Sequence, residues 1–113
     1  MIIAANIDGD SVGGGLGRAQ TMAIATVEDG QITSWQEEPV RWDLAHEQVE
    51  SGAVTGGGHH ARIVSFLRAH KVELVVAGHV GPPMVHTLGL MGVRIVTATG
   101  PARQAILDAA RAS

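Results

Sequence analysis

The sequence contains no cysteine. Disulfides are therefore excluded, and a thiolate-held metal or iron–sulfur centre cannot be built from this chain alone. Aromatic residues are scarce, at 3%. With Gly and Ala abundant, that scarcity points to thin layers and close packing of helix on sheet rather than to a bulky core. Basic residues are in the minority: eight Lys and Arg against eleven Asp and Glu leave a formal charge of -3. They are also scattered, whereas a surface that tracks phosphates gathers Lys and Arg into a patch. Nucleic acid is not the expected partner. No apolar run approaches the roughly 20 residues needed to span a bilayer, and no basic region precedes the opening MIIAANIDGD. The expectation is a cytoplasmic protein with no membrane partner, and 113 residues suffice for one domain with one core.

What is present is organised around Gly56 to Gly100. Two apolar, strand-like runs, Glu73 to Val80 and Val93 to Thr99, are each preceded by a helix-like stretch that a glycine-bearing turn introduces. That is the grammar of a parallel α/β sheet. The helix after Gly58 carries Ile63, Phe66, Leu67 and His70 on one face, the spacing of an amphipathic stripe. Pro82 and Pro83 open a second helix lined by Met84, Leu88 and Met91 and ended by Gly92, the usual placing of proline and glycine at helix ends. A last helix from Pro101 repeats Ala102, Ala105, Ile106, Ala109 and Ala110 at spacings of three and four, a clear stripe.

Upstream, Ile2 to Ile7 is almost continuously apolar, as a central strand covered on both faces should be. Ser11 to Arg18 (SVGGGLGR) reads as a flexible glycine loop. Thr21 to Val27 and the run from Gln31 to Trp35 flank Asp29-Gly30, a strong hairpin signal because the second turn position favours positive φ. The latter strand turns polar and meets Pro39, as an edge strand does. Arg41 to Thr55 has no convincing stripe; Asp43 could cap a short helix reaching Val49, and the segment could fold over a site as a lid. The expected architecture is a three-layer α/β/α sandwich, its five-stranded mixed sheet ordered 3-2-1-4-5 with only strand 2 antiparallel.

In such a sheet the crossovers leave strand 1 in opposite directions, and ligands bind beyond the carboxyl ends of the strands at that switch point. Asp8 and the glycine loop should reach this edge from strand 1, His79 from strand 4, and Thr97 and Thr99 from strand 5. The helix start bearing His59 and His60 should lie there too.

The stretch GGGHH, its apolar helix, and VELVVAGHVGPPMVHTLGLMGVRIVTATG together resemble the dinitrogenase iron–molybdenum cofactor biosynthesis family, of the NifX and NifB C-terminal-domain type. The matching pieces are Gly57 to His60, Ala77 to Gly81, Leu88 to Gly92 and Val93 to Gly100. IDGDSVGGGLGRAQTMAIATVEDGQI is similar to the family's opening strand, its Phe-Gly-Arg-Ala loop and its hairpin. Leu16 stands where the family has Phe, and glycine where a His often precedes it. The resemblance implies a ribonuclease-H-like motif and a role in carrying or sensing an iron–sulfur-type or iron–molybdenum-type cluster, transiently bound; a non-catalytic protein is expected. The expected partner is a cluster donor or acceptor protein, and the expected working state is a monomer or weak homo-oligomer.

Neutral imidazole ligates iron and zinc, so His60, His59 and His79 are the candidate metal ligands; as alternatives, His59 and His60 could cap the helix or face solvent. His86 could approach the same edge or be a surface residue, and His46 and His70 are assigned to structure or solvent. Gly14, Gly15, Gly17 and Arg18 could cradle an anion through backbone N–H groups and one guanidinium, with Gly57, Gly58 and Gly78 letting backbone come close to a bulky ligand. The loop is no phosphate-binding Walker loop, since it lacks Gly-Lys-Ser/Thr. A metal-free adaptor or small-anion sensor could use the same crevice. A metal-dependent hydrolase on Asp8 and Asp10 lacks a further carboxylate at the end of strand 4, and Ser11 sits on no nucleophile elbow.

Overall fold

The structure, a computed structural model, describes residues 1–44 and 56–113. The chain runs β1 (Ile2–Asp8), β2 (Ser11–Val12), a 3-10 turn (Leu16–Arg18), β3 (Thr21–Glu28), β4 (Gln31–Glu38), α1 (Gly56–Ala69), β5 (Leu74–Ala77), α2 (Pro82–Leu90), β6 (Arg94–Thr97) and α3 (Ala102–Ala112). A further helical turn covers residues 42–44. The sheet is mixed and open, in the order β4-β3-β1-β5-β6, with β2 paired to β1 off that path. β1, β5 and β6 are parallel neighbours, through pairs such as Ala5↔Val76 and Val76↔Val96. The hairpin partners β3 and β4 are antiparallel, as are β1 and β3.

Period-two alternation divides the core into two layers. On one face Ala4, Met22, Ile24, Val75 and Ala77 meet Ile63 and Leu67 of α1 and Met84 and Leu88 of α2. On the other, Ile3, Ala5, Ala23, Ala25, Leu74 and Val76 meet Ala102, Ala105, Ile106 and Ala109 of α3. Alanine faces alanine across that second layer, which lets the helix approach closely and explains how so aromatic-poor a chain fills its interior. Aromatics act at the margins: Trp42 is buried edge-on to Phe66 at 5.3 Å, and Phe66 lies 4.5 Å from His70.

Several expectations need correction. The sheet has a sixth, two-residue strand, because Ser11 and Val12 fold back on Asp8 and Ile7. Val72 to Val80 is strand only over Leu74–Ala77, and the following strand only over Arg94–Thr97. The edge strand runs on through its polar part to Glu38. Helix α1 begins at Gly56 rather than after Gly58, so three glycines occupy its first turn. Asp43 lies within the helical turn, not before it, and its carboxylate takes the Arg41 guanidinium at 3.0 Å on both oxygens. That guanidinium lowers the Asp43 pKa. His46 and the segment 45–55, including any lid, lie outside the described residues.

Candidate functional site

The glycine stretch is held, not loose. Gly13 N–H donates to Asn6 O at 2.8 Å, Leu16 N–H to His79 O at 2.9 Å, and Gly78 N–H to Gly13 O and Gly14 O at 3.1 and 3.0 Å. Gly15 also forms a parallel bridge with His79. From below, the buried Asn6 carboxamide donates to Gly14 O and Gly15 O at 3.1 and 3.0 Å. Leu16 then anchors the 3-10 turn in the core at 1% exposure. Past it, Trp42 N–H donates to Ala19 O at 2.7 Å. The loop therefore spans from the end of β1 to the end of β5, at the sheet edge where a switch-point crevice belongs.

A cleft of about 490 Å³ lies between this loop and the starts of α1 and α2. Arg18, His59, His60 and His79 line it, together with Gly15, Gly17 and the apolar Ile63, Val80 and Met84. His59 is 6% exposed, which corrects the solvent-facing alternative. It sits four residues before Ile63 and eight before Leu67, so the buried stripe of α1 reaches one turn further back than the Ile63-to-His70 pattern suggested. A Cβ placed on Gly17 would stand 3.3 Å from His59 Nε2, so glycine there leaves the imidazole its room. His60 is half-buried and His79 exposed; the His59 and His60 rings are 6.3 Å apart, tilted by 45°.

The electrostatics of the cleft lean one way. Among the described residues no carboxylate lines it, and neither α1 nor α2 carries an acidic residue in its first turn. Helix N-termini present partial positive charge, and Arg18 adds a full one. The arrangement suits an anion with soft or borderline metal sites at its surface. Among the described residues no three His, Asp or Glu side chains are gathered tightly enough to hold a bare metal ion.

Other candidates are placed elsewhere. Gly14 lines a neighbouring cavity of about 360 Å³ with Asn6, Asp8 and Gln20, and Gly15 and Arg18 border both cavities. Gly78 lines neither; its Cβ position lies 2.6 Å from Gly13 O, so it is the seat of the loop rather than a ligand contact. The amides of Gly13, Leu16 and Arg18 are committed to protein carbonyls, which breaks the run of N–H groups that an anion cradle needs. Gly57 and Gly58 fall in the first turn of α1. Thr97 and Thr99 line a separate hollow against α3, contrary to their expected convergence; the chain just beyond β6 meets β2 instead, where Val12 N–H donates to Gly100 O at 2.8 Å. His86 is an exposed residue of α2 outside the cleft. Asp8 and Asp10 are exposed. Asn6 went unnoticed in the sequence, although a lone carboxamide within an apolar run was a signal.

The family model for the dinitrogenase iron-molybdenum cofactor matches residues 1–112. The chain belongs to that family. Two solved structures share the family member's fold. The crystal structure of PH0822 superposes with a TM-score of 0.71 at 16% identity, covering 96% of this chain and 88% of the other. A presumed dinitrogenase of Methanocaldococcus jannaschii, MJ0327, gives 0.64 at 11% identity, covering 95% and 84%. At these identities the likeness concerns the fold. No curated protein matches the family member's sequence. Among the described residues no helix is long and apolar enough to cross a membrane.

Proposed function

We propose that this member of the dinitrogenase iron-molybdenum cofactor family is a non-catalytic carrier that receives an iron–sulfur-type cluster, or a cofactor precursor, in the cleft between the Gly13–Arg18 loop and the start of α1. The observation that carries the reading is the lining of that cleft: among the described residues, three imidazoles and a guanidinium gather, without a carboxylate, where two helices begin. Imidazoles spaced around a cavity, rather than gathered on a point, can each meet a different iron of one bulky cargo. The guanidinium and helix starts offset the cargo's negative charge. A chain without cysteine gives such a cargo no thiolate to exchange into, which favours transient holding over permanent insertion. On this reading the protein works in the cytoplasm, within a ribonuclease-H-like scaffold, and passes cargo between a donor and an acceptor protein.

Anaerobic incubation with ferrous iron and sulfide, followed by desalting, tests the proposal. Retained iron and acid-labile sulfide that fall in His60→Ala and His79→Ala support it. A second reading, a metal-free small-anion sensor, is favoured by the absence of a tight three-ligand group among the described residues. It predicts phosphate-dependent protection of the loop that is lost in Arg18→Ala and indifferent to both histidine changes.

A further inference from the structure

We propose that Asn6 is a positioning residue that fixes the wall of the cleft, and that Gly13 is glycine because Asn6 occupies the space its Cβ would need. The proposal rests on the carrier reading for what the wall binds, and on geometry alone for how the wall is held. Asn6 is 4% exposed in the middle of an otherwise apolar strand. Burying a carboxamide there is costly unless its groups are hydrogen-bonded. Its carboxamide nitrogen donates to the adjacent carbonyls of Gly14 and Gly15, at 3.1 and 3.0 Å. Its own backbone carbonyl takes the Gly13 N–H at 2.8 Å. Three consecutive loop residues are thus fastened to one strand residue, and the next, Leu16, is fastened to His79.

A Cβ on Gly13 would meet Asn6 Oδ1, Cγ and Nδ2 at 2.6, 2.9 and 3.1 Å, and these are its three nearest neighbours. Gly13 does not have the positive φ found at Gly9, Gly30, Gly92 and Gly100, so its backbone conformation does not demand glycine. The Asn6 side chain alone does. Only a planar group presenting two N–H donors from this buried position serves both carbonyls: Asp would set a carboxylate oxygen against them, and Ala would leave a gap under the loop. Gly15, which Asn6 holds, lines the cleft, and Gly17 and Arg18 follow within the same short turn. Asn6 therefore acts on bound cargo through the loop, without touching it.

The experiment is a double-variant cycle on the full chain, read by amide hydrogen exchange and by retention of ferrous iron and sulfide. In Asn6→Ala the exchange of Leu16 and Gly78 should rise on the order of 10- to 100-fold relative to the amides of β3, and retention should weaken about tenfold. Gly13→Ala should do the same by pushing on Asn6. The double variant should be no worse than Asn6→Ala alone, because the truncated side chain leaves room for the new methyl group. Unchanged relative exchange in Asn6→Ala, or effects that simply add in the double variant, would overturn the proposal. If the unaltered protein retains no iron and sulfide, the carrier reading falls while the exchange cycle still decides the role of Asn6.

Discussion

Gly78→Ala puts the seating of the loop to a quantitative test. The new Cβ would come within 2.6 Å of Gly13 O, 3.2 Å of Gly14 Cα and 3.3 Å of Gly14 O. All three are backbone atoms, so no side chain can swing aside. Relief requires the loop to lift, stretching the bonds from Gly78 N–H to Gly13 O and Gly14 O. Overpacking of this kind costs about 1–3 kcal/mol. Gly78 has no positive φ, so alanine returns up to about 1 kcal/mol by restricting the unfolded chain. The net loss should be about 1–2 kcal/mol, or a fall in Tm of roughly 4–8 °C for a domain this size. Gly14→Ala is the matched control. Its Cβ would meet nothing within 4 Å, so stability should stay within about 0.5 kcal/mol or rise slightly. Chemical denaturation with linear extrapolation separates the two. Equal midpoints would mean that the loop is not pressed onto the end of β5, and the described cleft wall would be wrong.

Other substitutions probe the layers around the site. Ile106 is fully buried on α3 against the alanine-lined sheet face, so Ile106→Ala should cost about 2–5 kcal/mol in urea unfolding while leaving the cleft's ligand retention intact once folded. Arg103 lies 4.1 Å over the Trp35 ring; Arg103→Ala should lose about 0.5–1 kcal/mol and shift Trp fluorescence. The folded-state pKa of Asp43 is held below the usual 3.8 by the Arg41 guanidinium. Its stabilisation is thus present above that ordinary value and lost as pH falls through the depressed one. Asp43→Asn should flatten the acid limb of the stability curve below about pH 4, and a side-chain carboxyl titration followed by NMR should show the depressed midpoint directly.

What could be read from the residues was whatever the residues determine locally. The unbroken apolar run of β1, the Asp29-Gly30 turn and the alanine stripe of α3 each declare themselves within a few positions. Asp29 and Gly30 do take φ of 52° and 76°, the pair of positive values that such a hairpin turn requires. The convergence of His59, His60, His79 and Arg18 was legible too, because it follows from which strand and helix ends share an edge. The misses were long-range. SVGGGLGR has no stripe and little side-chain mass, so it looks mobile; its order comes from Asn6 and His79, which are distant in the chain or hidden in an apolar run. The first turn of α1 was lost because glycine weakens helical propensity, although tertiary context carries the helix back to Gly56. For Thr97 and Thr99 an end-of-strand position is not sufficient, because the side on which a strand's last residues project decides the matter, and both line the hollow against α3.

The carrier reading meets its most direct test in anaerobic reconstitution with ferrous iron and sulfide, desalting, and quantification of both in the unaltered protein and in His60→Ala and His79→Ala. Neither residue is deeply buried, so both variants should unfold at the same temperature as the parent. The proposed role predicts stoichiometric retention by the parent and marked loss in each variant. No retention by the parent, or retention undiminished in both variants, would contradict it.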